Sequence, residues 1–108
     1  MMDQNLLNNL VTELKRGTQI LAVLSQLKKN QYGYSLLQSL VDKGIQMEAG
    51  TLYPLLRRLE SQGLLKSEWD TTENRPRKYY VLSDAGDEML TQLIQAWQHI
   101  VAEMNQLI

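Results

Sequence analysis

Two groups of side chains could do chemistry on a charged partner. Tyr53, Arg57 and Arg58 fall within six residues, and Arg75, Arg77 and Lys78 within four. An Arg presents a planar fork that fits a guanine edge, and clustered cations neutralise phosphates and release their counterions. No comparable set exists for acid–base or nucleophilic work. Cysteine is absent, His99 is the one histidine, and no Ser-His-Asp arrangement, His/Cys cluster or in-helix carboxylate pair with a base occurs. No catalytic residue, metal ligand or cofactor is therefore expected, and the chain is not expected to be an enzyme. His99, next to Ile100, reads as a packing or surface side chain. Gly50-Thr51 is too short a fragment to cradle a phosphate.

The element that must position the first group is the stretch 47–65, MEAGTLYPLLRRLESQGLL. At 100° per residue Leu52, Leu55, Leu56 and Leu59 form one face, and Tyr53, Pro54, Arg57, Arg58 and Ser61 point the other way. Thr51 is the expected N-cap, with Pro54 in the first turn. Gly63 is expected at the left-handed C′ position, with Leu64 folding back on Leu59. Such a helix, burying leucines and offering Tyr and Arg outward, suits the major groove of DNA.

Upstream, Leu6, Leu7, Leu10, Val11, Leu14, Leu21, Leu24 and Leu27 recur at helical spacing, interrupted at Gly17-Thr18 and ended at Asn30-Gln31. Lys28 and Lys29 would occupy the last turn. Gly33 introduces a second helix, 34–43, with Leu36, Leu37, Leu40 and Val41 on its buried face and Gly44 closing it. This helix and the next form a helix-turn-helix. After Gly63 the period becomes two: 65–69 and 78–82 alternate and are rich in β-formers, with a polar turn between them that contains Pro76. That predicts a β-hairpin, or wing, whose cations Arg75, Arg77 and Lys78 would meet phosphates or the minor groove.

A last helix is expected from the N-cap Ser83 to the end, with Asp84, Asp87 and Glu88 in its first turns. Leu90, Ile94, Trp97, Val101, Met104 and Ile108 recur along it at steps of four and three, widened by Leu93, Ile100 and Leu107. So long a seam exceeds what a small domain can cover, which predicts a homodimer joined through it and through the N-terminal arm. The fold class is thus mainly α with a small β-hairpin. A winged helix-turn-helix domain over 1–82, including the arm helix, precedes a dimerisation helix over 83–108.

The net charge is −1, but all 11 Lys and Arg lie between residues 15 and 78 with six of the 12 acids, so the middle carries +5 and the ends −6. An anionic partner is expected for the middle alone. No apolar run approaches the ~20 residues of a membrane span, no signal-peptide pattern opens the chain, and the lack of cysteine fits a reducing compartment. A cytoplasmic location and no membrane partner are expected.

The run GYSLLQSL at 33–40, then GTLYPLLRRLESQGLL at 50–65 and RPRKYYVLSDAG at 75–86, resembles the PadR family of bacterial transcriptional repressors over roughly residues 15–90. The single helix after the wing resembles its small subfamily. The resemblance implies a winged-helix dimer that represses genes, often for detoxification or efflux, and releases DNA on binding a small molecule. It implies DNA-facing roles for Tyr34, Gly50, Thr51, Tyr53, Arg57, Arg75, Arg77 and Lys78. In some small members a Trp of the last helix lines a pocket at the dimer centre, and Trp97 stands at that place. Here it would either clamp a planar aromatic effector, with Leu93 and Ile94 beside it, or simply pack the seam.

The function expected is a DNA-binding repressor of an inverted-repeat operator. The alternative is a winged-helix protein-interaction module without DNA binding, which would have no need for cations on both helix and wing. Operator, regulated genes and effector are not written in the sequence.

Overall fold

The structure, a computed structural model, describes residues 1–108. Helix α1 (Gln4–Arg16) and helix α2 (Gln19–Ser25) are separated at Gly17-Thr18, and strand β1 (Gln31–Tyr32) leads into helix α3 (Gly33–Asp42). Helix α4 (Ala49–Ser61), strand β2 (Leu65–Asp70), strand β3 (Arg77–Leu82) and helix α5 (Asp84–Leu107) complete the chain. The expected winged helix-turn-helix and long last helix are present.

Leucine dominates the core. Val23, Leu24 and Leu27 from the α2 region meet Leu36 and Leu40 of α3 and Leu52, Leu55, Leu56 and Leu59 of α4. Leu65, Tyr80 and Leu90 close it from the hairpin and α5. Each fully buried leucine contributes about 1.5–3 kcal/mol of transfer free energy, and the α4 stripe supplies a large share of the core that joins α3 to α4.

The end of α4 follows from Gly63. It adopts φ +81°, its N–H donates to Glu60 O at 2.9 Å, and Leu64 N–H donates to Leu59 O at 3.0 Å. That is the Schellman pattern the sequence anticipates. Gly44 closes α3 in the same left-handed region, at φ +85°.

The start of α4 differs from expectation. Thr51 is not the cap: Glu48 O accepts from Thr51 N–H at 3.0 Å and Leu52 N–H at 2.9 Å, so the first turn closes around Glu48. Pro54 therefore sits in the second turn and denies Gly50 O its helical donor, at a place where Gly50 is exposed. Two further expectations fail for packing reasons. Lys28 and Lys29 lie beyond the end of α2, and Val41 is 48% exposed because α3 turns Gly33, Leu36 and Leu40 to the core, with Leu37 packed beside them.

The sheet has three strands in the order β1-β3-β2, all antiparallel. In it Leu65 pairs with Leu82 and Asp70 with Arg77 at the two ends of the hairpin, while Tyr32 pairs with Tyr79. Strand β1 was not expected; two residues are too short to show a period of two. Behind the sheet, α5 begins where Ser83 Oγ accepts from Gly86 N–H at 3.0 Å and donates to Gly63 O at 2.6 Å.

One residue of the expected dimer seam has another use. Leu90 is 1% exposed, buried in the chain's own core by α2 and the hairpin, and so is a domain residue instead of a seam residue. Farther along, Ile94, Trp97, Ile100, Val101, Met104 and Ile108 are exposed, as are Leu6, Leu10 and Leu14 of α1.

Candidate nucleic-acid interface

Helix α4 has a buried side and a presented side. With the leucines turned inward, Gly50, Thr51, Arg57 and Arg58 are exposed. Neither arginine makes an ion pair within the chain, so both forks are free to donate. Tyr53 behaves differently from the outward residue expected: it is half-buried, and its ring crosses the start of α3. A Cβ built on Gly33 would lie 2.5 Å from Tyr53 Cε1. The absence of that Cβ lets α4 seat against α3, so Tyr53 sets the angle of the helix-turn-helix as much as it lines its surface.

Tyr34 is 56% exposed on the first turn of α3, its ring stacked on Tyr32 at 6.0 Å and 6°. Its hydroxyl accepts from Arg77 Nη1 at 2.9 Å. Tyr32 in turn meets Tyr79 edge-on at 6.0 Å and donates its hydroxyl hydrogen to Asp70. That hydrogen bond, with two more from Thr72, holds the Asp70 carboxyl down to about 2 and pushes the Tyr32 hydroxyl up.

The wing cations part company. Arg75 is exposed at the tip with no ion-pair partner. Arg77 lies 4.1 Å over the Tyr32 ring and 3.3 Å from Glu73. Lys78 reaches Glu60 of α4 at 3.6 Å, and the same Glu60 accepts from Ser67. The expected phosphate contacts Arg77 and Lys78 are thus engaged inside the chain. Tyr32, Glu60 and Asp70, none of them singled out from the sequence, supply their partners. The Asp70–Arg77 pairing was the available signal, since opposite charges facing each other across a hairpin attract.

Residues 20–92 match the model of the transcriptional regulator PadR-like family. The chain belongs to that family. Transcriptional regulators are not an enzyme class. The Mycobacterium tuberculosis transcriptional regulator Rv3488 is 36% identical to this PadR-like chain over 93 residues, 85% of it and 87% of the relative. Among solved structures, a PadR family transcriptional regulator from Eggerthella lenta matches with a TM-score of 0.92 and 48% identity, over 95% of this chain and 92% of that one. A PadR-like regulator from Bacillus cereus matches with a TM-score of 0.78 and 28% identity, over 88% and 95%.

On α5 of this PadR-like fold, Trp97 is 43% exposed and borders two open grooves. One, of about 660 Å³, runs along α5 with Leu93, Ile100 and Met104 and is floored by Ile20 and Leu21. The other, of about 720 Å³, lies between α1 and α2. Ile94, expected beside Trp97 in a ligand site, borders neither groove. No group of three or more His, Cys, Asp or Glu is placed to hold a metal, and no helix is long and apolar enough to cross a membrane.

Proposed function

We propose that the protein is a cytoplasmic homodimeric repressor that binds an inverted-repeat operator and is released from it by a small molecule. The observation that carries the reading is the unpaired Arg57 on the presented side of α4, with unpaired Arg75 on the adjoining wing, in a chain of the PadR-like family. Arg57 would read a base edge, while Arg58, Arg75 and the exposed backbone at Gly50-Thr51 would meet phosphates. A twofold dimer would set two such helices about 34 Å apart, one DNA turn. Genes for detoxification or efflux are the proposed targets, by family resemblance.

The test is a gel shift with the DNA upstream of the protein's own gene. Wild type should form a complex that weakens steeply as salt rises. Arg57→Ala should cost about 1–3 kcal/mol at one base position, and Arg75→Ala should weaken all sequences alike and reduce the salt slope by about one. Absence of a salt-sensitive complex refutes the reading.

The effector would be a planar aromatic molecule lying against Trp97, where the α5 groove supplies apolar walls. Titration into a Trp69→Phe background should quench the remaining indole and weaken operator binding, since ligand and DNA then oppose each other by one coupling energy. No quenching across a broad panel would reduce Trp97 to packing.

A further inference from the structure

Of the wing cations, Arg77 is the most completely used inside the chain. Nη1 donates to the Tyr34 hydroxyl at 2.9 Å, and Nη2 donates to Glu73 at 3.3 Å while lying 3.5 Å from the Tyr32 hydroxyl and 4.0 Å from Asp70. Its Nε is sealed from solvent without a partner. A phosphate approaching this guanidinium would find one Nη1 hydrogen uncommitted but would have to sit beside two carboxylates, Glu73 and Asp70. Repulsion of that kind makes Arg77 a poor anion contact.

The same bonds make it a good brace. Asp70 and Arg77 face each other on the last rung of the hairpin. The other oxygen of Asp70 holds the Thr72 N–H at 3.0 Å and hydroxyl at 2.7 Å, which shapes the turn into the tip. Tyr32 and Tyr34 flank Gly33, on which Tyr53 of α4 rests. A continuous run of contacts therefore links the reading helix, through α3, to the wing tip that carries Arg75.

We propose that Arg77 is a positioning residue for DNA binding: it braces the wing against the start of α3 so that Arg75 reaches a phosphate, and makes no phosphate contact itself. This rests on the DNA-binding reading above.

The experiment measures operator affinity against salt for wild type, Arg75→Ala, Arg77→Ala, the double variant, Arg77→Lys and Asp70→Asn, each confirmed folded by circular dichroism at the assay temperature. If Arg77 acts through Arg75, either single variant loses about one phosphate from the salt slope, and the double variant loses no more than Arg75→Ala alone. Arg77→Lys keeps the charge but cannot serve Tyr34 and Glu73 together, and should weaken binding about tenfold, as Arg77→Ala does. Asp70→Asn removes a negative charge yet should weaken binding several-fold, because the brace loses its anchor. A direct contact predicts the opposite: two phosphates lost in the double variant, Arg77→Lys close to wild type, and tighter binding by Asp70→Asn. Any of those three results overturns the proposal while the DNA-binding reading stands; a wild type that never binds overturns both.

Discussion

Gly33 and Gly86 show how single missing methyl groups fix this architecture. A Cβ on Gly86 would lie 2.0 Å from Leu64 O, a backbone atom that cannot swing aside, whereas one on Gly33 would meet the ring of Tyr53. Gly86→Ala should therefore displace the whole start of α5 and destabilise by about 3 kcal/mol or more, and Gly33→Ala by about 1–3 kcal/mol. Urea midpoints should rank them in that order. Gly33→Ala should also weaken DNA binding beyond its stability loss, because moving Tyr53 re-aims Arg57. Asp70 supplies a pH signature. Its carboxyl is held at about 2 in the fold, below the ordinary value near 4, chiefly by Tyr32. Its contribution is then fully present above pH ~4 and disappears as pH falls toward 2. Wild type should lose stability through that window, and Asp70→Asn should lose less; parallel urea midpoints for the two proteins from pH 5 to 2 would contradict it.

The elements themselves were largely legible because their signals are local. Gly63 and Gly44 end helices where a left-handed residue is required, and the leucine stripe of 52–59 needs no partner to be recognised. What stayed hidden depends on distant neighbours. Nothing in Gln31-Tyr32 announces a strand until β3 lies beside it, and Arg77 looks like a free cation until Tyr34, 43 residues away, takes its hydrogen. Likewise Leu90 and Ile94 are equivalent in a periodic reading, but only Leu90 is within reach of the domain core. Helix α5 is thus two segments with different duties. Leu90→Ala should cost about 2–5 kcal/mol in thermal or urea unfolding. Ile100→Ala, on the uncovered segment, should change single-domain packing little and act on assembly instead.

Taken whole, the chain is too extended for its size. Its radius of gyration is 16.2 Å and its extents 55 × 31 × 21 Å, where a compact chain of 108 residues would have a radius near 13 Å. The excess comes from α1, which has no buried residue, and from the second half of α5. Both present apolar rows to open space, a surface that a second copy would cover. Sedimentation at micromolar concentration should give twice the chain mass, and unfolding midpoints should rise with concentration. A compact, stable monomer would defeat that expectation.

Helix α1 has a capped start, Asp3 accepting from Leu6 N–H at 3.1 Å, but an isolated helix of 13 residues is marginal in water. Its order must come from whatever covers Leu6, Leu10 and Leu14. The arm precedes the leucine core in the chain, and a lone copy leaves its apolar row uncovered. A second copy that covered this row would make the arm the last segment to gain order, and its amides should stay open to hydrogen exchange for as long as a chain is alone.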